Sequence, residues 1–176
     1  MTAAQDGFHR HLHQVAPAAL SGQTAQTSGM RRLEAISGST VGSRDLWMGQ
    51  THVAPSAGSG NHHHGISETG IYVVSGHPEF VFLDETTGEP VERRLRTSPG
   101  DYIYVPPWMP HREENPDPDD EAIVVIARTT QEAIVVNLPD LTWTGPVAAT
   151  SPKPEATDGG SAATTGPIPL AHATGS

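Results

Sequence analysis

The 176-residue chain is 35% apolar, holds 18 glycines and 16 prolines, and carries a net charge of −10. That length and composition specify one turn-rich domain with unstructured flanks. The acidic balance excludes nucleic acid and anionic membranes as expected partners. No run of about 18 apolar residues provides a membrane span, and no basic-then-apolar leader is seen, so a cytoplasmic location is expected.

The chain has no cysteine, which removes disulfides, thiol catalysis and thiolate metal sites, but its 10 histidines leave nitrogen ligands. Its only lysine, Lys153, lies in a Pro/Ala/Thr-rich stretch and is no anchor for Schiff-base chemistry. Neither a Gly-Lys phosphate loop nor a Gly-x-Ser-x-Gly elbow occurs.

In chain order, residues 1–28 read as a flexible leader rich in Ala, Gln, Ser and Thr, with His9, His11 and His13 on a solvated tail. Residues 29–146 carry strand signals. Leu46–Val53 alternates loosely, and Ile71–Ser75 and Phe80–Leu83 are β-branched and aromatic runs. A turn cluster at 84–90 then leads into Val91–Arg96, which predicts a hairpin. Asp101–Val105, Ala122–Arg128 and Ala133–Asn137 complete the set. The segment 113–121, with six acidic residues and two prolines, reads as a solvated loop. Residues 147–176 lack aromatics and are expected to be disordered. Short strands between Gly/Pro turns predict an all-β barrel or sandwich. Several strands are apolar on both faces, so either a second sheet or a second subunit must cover them. A homodimer is the expected assembly.

The chemistry concentrates in two places. In Asn61-His62-His63-His64-Gly65-Ile66-Ser67-Glu68, strand alternation puts His62 and His64 on one side and His63 on the other. Gly65 lets the chain turn, and Glu68 then opens the next strand. Two imidazoles and a carboxylate converging in this way form a divalent-metal constellation. The second cluster runs from Pro99 to His111. There a proline-stiffened turn delivers one more imidazole at a fixed place.

Together these clusters resemble the two motifs of the cupin superfamily, over roughly residues 45–130. His62, His64 and Glu68 fit the first motif, G-x5-H-x-H-x(3,4)-E-x6-G, with Gly76 closing it one residue late. Gly100, Pro106, His111 and Asn115 fit the second, G-x5-P-x-G-x2-H-x3-N, with Trp108 standing where the pattern has its inner glycine. The resemblance implies a single jelly-roll barrel with one divalent metal in its lumen, held by His62, His64, Glu68 and His111. Iron, manganese, nickel, zinc and copper all occur in similar sites. Open coordination positions would then admit water, dioxygen or substrate oxygens.

Strand parity places Tyr72 on the same face as Glu68, and Tyr104 on the same face as Tyr102. With His52 on the preceding strand, Tyr72 and Tyr104 are the candidate catalytic residues; aromatic core filling is the competing reading. Trp108 is a candidate wall for the pocket mouth. No organic cofactor site is expected. The implied function is that of a metal-dependent enzyme on a small molecule, leaning to dioxygenase-type oxidation. The alternatives are non-redox chemistry (polyketide cyclase, isomerase or lyase) and non-catalytic binding.

Overall fold

The computed structural model describes residues 12–86 and 88–141. His9, His11 and the tail at 147–176 lie outside the described residues. Ten strands run in chain order: β1 (Met30–Ile36), β2 (Trp47–Val53), β3 (His62–His63), β4 (Thr69–Ser75), β5 (Glu79–Asp84), β6 (Val91–Arg96), β7 (Tyr102–Val105), β8 (His111–Glu114), β9 (Ala122–Arg128) and β10 (Val136–Asn137). The sole helical element among the described residues is a 3-10 turn at Pro17–Ala19.

The strands form two five-stranded antiparallel sheets. The first has the order β1-β2-β9-β4-β7 and the second β10-β3-β8-β5-β6. β9 is thus inserted between β2 and β4, and β8 between β3 and β5, which makes the fold an all-β jelly roll. Strict alternation sets the faces. In β2, Trp47, Gly49, Thr51 and Val53 turn inward; in β9, Ala122, Val124, Ile126 and Arg128 do so. Trp47, Ile71, Val73, Phe80, Val105, Val124 and Ile126 make the main core between the sheets.

A second sheet in the same chain therefore covers the inner faces, and the two outer faces differ. On the second sheet, Arg94 pairs with Glu79 and Glu114, and Arg112 pairs with Glu114 and Glu92. This ion network lies over the fully buried Val81, whose strand partners are Arg94 and Arg112. The outer face of the first sheet instead exposes Tyr72, Val74, Tyr102 and Tyr104.

Three strands lack a strong local signal. β1 reads MRRLEAI, with Arg32 and Glu34 pointing inward where apolar residues are the rule. β3 and β8 contain mostly histidine and charged residues, and pairing, not propensity, makes them strands. Upstream of β1, the residues expected to form a flexible leader are partly tied down. Ser21 and Glu34 exchange backbone hydrogen bonds of 2.9 and 2.7 Å, and Arg32 donates through its backbone N–H to the Gln26 side chain.

Candidate metal centre

β3 and β8 are neighbours, with His62 and His111 as register partners. Residues two apart on one strand share a face. His62 and His64 therefore project inward beside His111 and Glu113, and all four are buried. Ring centroids lie 4.4 Å apart for His62–His111, 4.8 Å for His64–His111 and 5.0 Å for His62–His64. One ligand atom from each of the four residues lies within 4.8 Å of every other.

Each imidazole is oriented by a backbone carbonyl. The Nδ1–H of His62 donates to Gly60 O at 2.9 Å, that of His64 to Ile134 O at 3.0 Å, and that of His111 to Met109 O at 2.9 Å. With Nδ1 protonated, every Nε2 carries a lone pair; those of His62 and His111 have no protein partner, whereas that of His64 lies 3.4 Å from an Arg128 guanidinium nitrogen, a contact that metal binding would replace. The Nε2 atoms of His62 and His111 and the Oε2 of Glu113 are buried with no protein partner. Unpartnered polar atoms this deep are rare in native folds. Three neutral nitrogens and a carboxylate oxygen are a donor set that suits a first-row divalent ion, so the residues fit such a metal.

Electrostatics keeps the imidazoles neutral. Burial is the main cause of the lowered pKa of His62, and the Glu113 charge opposes it. His64 is held far below its usual range by burial, the Arg128 charge and the other two imidazoles. Burial and His62 push His111 down to about 4. Two guanidinium groups share this interior. Arg32 and Arg128 are both lowered chiefly by burial, Arg128 to about 10, and the Glu113 charge favours the ionised form of each.

The loops that carry these residues are tied together. Gly65 has φ +59°, and its carbonyl accepts the Trp108 N–H at 2.8 Å. Trp108 itself has φ +63°, so it adopts the left-handed backbone that the inner glycine of the motif would take freely. Its ring packs 5.3 Å from that of His63, which sits on the side away from the metal centre. Asn115, the last residue of the second motif, is buried. Its side-chain amide donates to the carbonyls of Val53, Ala54 and Asp120.

Glu68 is not brought to the histidines. It is exposed, and its Oε1 accepts the Tyr104 hydroxyl at 3.0 Å, which raises the Tyr104 pKa. The fully buried Thr69 takes the inward position at the start of β4. The late Gly76 carried that signal. Counting back from it by the motif spacing reaches Thr69, and a one-residue offset exchanges the two faces of a strand. Glu113 was missed because it belongs to an acidic run, although its spacing from His111 repeats that of His64 from His62. It lies on a strand with 3% exposure, not in a solvated loop.

Of the three candidate catalytic residues, Tyr72 and His52 point elsewhere, and Tyr104 turns its hydroxyl to Glu68 while also lining the apolar cavity beside His111. Tyr72 and Tyr104 share the outer face of the first sheet with Glu68, and Tyr72 packs on Tyr102 at 4.9 Å. His52 alternates outward from Thr51 and Val53 and pairs with Glu121 at 2.8 Å. The parity relations hold, but the face they share is the outer one.

An apolar cavity of about 130 Å³ opens beside His111. Its wall includes Phe80, Phe82, Leu95, Ile103, Tyr104, Val105 and Met109, and His111 reaches it from the candidate metal centre. Trp108 lines a separate surface pocket with Phe82, Pro107 and Met109.

The Cupin domain family model matches residues 49–127, the span that carries both histidine motifs. Residues 49–127 are a cupin domain. Solved structures share the fold. The polyketide cyclase RemF from Streptomyces resistomycificus has a TM-score of 0.56 at 18% identity, over 73% of this chain and 86% of the cyclase. Oxalate decarboxylase from Lactobacillus farciminis has a TM-score of 0.56 at 16% identity, over 66% of this chain and 33% of that one. An oxalate oxidase in complex with glycolate has a TM-score of 0.54 at 19% identity, over 68% and 62% of the two chains. At these identities the likeness is one of fold. No curated protein matches this cupin in sequence. Among its described residues, no helix is long and apolar enough to cross a membrane.

Proposed function

We propose that this cupin is a metal-dependent enzyme acting on a small molecule with an apolar body, with dioxygenase-type oxidation as its leading chemistry. The observation that carries the reading is the convergence of three Nε2 lone pairs, each fixed by an Nδ1–H bond to a carbonyl. His62, His64 and His111 would hold the ion, with Glu113 as the fourth donor. A bound divalent ion supplies Lewis acidity and, where it is redox-active, an electron couple for dioxygen. Phe80, Phe82, Ile103 and Met109 exclude water from the reacting end of the cavity and seat the apolar part of the substrate.

A second reading, non-redox cyclase, isomerase or lyase chemistry, is favoured by the Oε2 of Glu113. That atom has no protein partner and can hold a proton removed from a substrate carbon. The test is metal analysis of untagged protein, followed by oxygen uptake against a panel of aromatic and keto acids. Substrate-dependent uptake with iron, manganese, nickel or copper supports the oxidative reading. Zinc without uptake moves the assignment to the second. A protein that takes up no metal refutes both. The proposed assembly is a homodimer through the outer face of the first sheet, and light scattering of Tyr102→Glu tests it.

A further inference from the structure

We infer that Arg128 recognises an anionic oxygen of the substrate, so that the site takes a small organic acid, a carboxylate or an enolate, whose apolar body lies in the cavity beside His111. The inference rests on the small-molecule part of the proposed function and is independent of which metal is bound.

Arg128 is the last residue of β9, and its side chain points between the sheets with 1% exposure. Its guanidinium donates to Ile134 O at 3.0 Å and to His64 Nε2 at 3.4 Å, and it lies 5.6 Å over the Trp47 ring. Its Nε–H has no partner. Among the described residues no carboxylate forms an ion pair with it; Glu113 acts on it only through its charge. A buried cation without a paired anion is costly unless something else supplies the negative charge. A guanidinium stays ionised at neutral pH.

The surroundings say where that charge would sit. Arg128 is the register partner of Thr69, and Thr69 is the register partner of Val105. All three side chains point inward from adjacent strands in one row. Val105 is part of the cavity wall. The Thr69 hydroxyl is buried and unpartnered, like the Arg128 Nε–H. Two free donors, one of them cationic, therefore lie behind the apolar wall. On the other side, Arg128 reaches His64, whose ring is 4.8 Å from that of His111 at the cavity. An oxygen anion entering here meets a guanidinium, a hydroxyl and the metal-binding imidazoles, while its apolar substituent stays among Phe80, Phe82 and Leu95. The volume suits one ring, because a cavity of roughly 150 Å³ holds benzene.

The test compares benzoate with its neutral analogue benzyl alcohol by calorimetry on the full chain, as purified and after chelation. Chelation removes any preference due to metal. The expected result is that benzoate binds at least tenfold more tightly in both states. In Arg128→Gln the ratio should fall to about one after chelation, with near-ultraviolet circular dichroism unchanged. Arg128→Lys keeps the charge but loses the fork of donors, so its ratio should drop at least threefold. A wild-type ratio near one overturns the inference, as does an unchanged ratio in a folded Gln variant. If the Gln variant does not fold, an unchanged ratio in the Lys variant overturns it. Zinc uptake is measured separately on the same samples. Its absence refutes the metal reading without altering the result of the chelated arm.

Discussion

His62 and His111 face each other across β3 and β8, paired in register with ring centroids 4.4 Å apart. Two imidazolium ions cannot share that space, and His64 adds a third ring at a similar distance. The unfolded chain binds protons at these histidines below about pH 6.5, whereas in the folded chain His111 waits until about 4. The folded pKa is the lower one, so stability is present above about pH 6.5 and is lost as pH falls toward 4. His111 alone contributes on the order of 3 kcal/mol. Urea unfolding of chelated protein between pH 7 and 4 should show the midpoint falling over this window. A flat profile would refute the neutral-imidazole assignment.

The two carboxylates near the motifs are separable by mutation. Glu113→Gln should weaken cobalt(II) or zinc binding by tenfold or more, since it removes the anionic donor of the group. Glu68→Gln should leave affinity within about twofold, because its carboxylate bonds to Tyr104 on the outer face. Metal titration with cobalt absorption as the signal decides the matter. The reverse order would return Glu68 to the ligand set.

Asn115 contributes by holding backbone in place, not by touching the metal centre. Its amide satisfies the carbonyls of Val53, Ala54 and Asp120. Asn115→Ala leaves buried acceptors unmet and should cost roughly 1–3 kcal/mol in urea unfolding. A loss below about 0.5 kcal/mol would mean that water replaces the amide without penalty.

Glu34 is a buried carboxylate on β1. Its Oε2 accepts the Trp47 indole N–H at 2.9 Å, and its Oε1 accepts the Ser37 and Ser39 hydroxyls. Burial alone would raise its pKa, but the bonds from Ser39, Ser37 and Trp47 outweigh that and lower it. Glu34→Ala should destabilise the fold by about 2–4 kcal/mol and alter the near-ultraviolet signal of Trp47. Unchanged stability would mean that the bonds add nothing beyond the solvation they replace.

β-branched and aromatic runs made β4, β5, β7 and β9 legible in the sequence, loose alternation marked β2, and the turn cluster at 84–90 marked β6 as the return strand of a hairpin. The sequence concealed β1 and β8, whose inward positions hold Arg32, Glu34, His111 and Glu113 and no apolar run, whereas β3 was legible from the alternation of His62 and His64. Three of the four clustered side chains, His62, His64 and His111, were legible from their spacing. Glu113 was not, because charge runs normally face water, and only its parity with His111 marked it. The inward position of Thr69 turned on one residue of register, which only the late Gly76 marked in the sequence. Trp108 illustrates a different limit. A left-handed backbone ordinarily favours glycine, yet the bond to Gly65 O and the ring contact with His63 accompany tryptophan in it.

The three carbonyls that accept the Nδ1 protons come from separate stretches of chain, at Gly60, Met109 and Ile134. They fix each tautomer before any ion arrives, and burial keeps each ring neutral at physiological pH. Ion capture at pH 7 therefore displaces no imidazole proton and requires no ring flip. In calorimetric terms, the heat contributed by the histidines is the same in phosphate as in Tris, although those buffers differ widely in ionisation enthalpy.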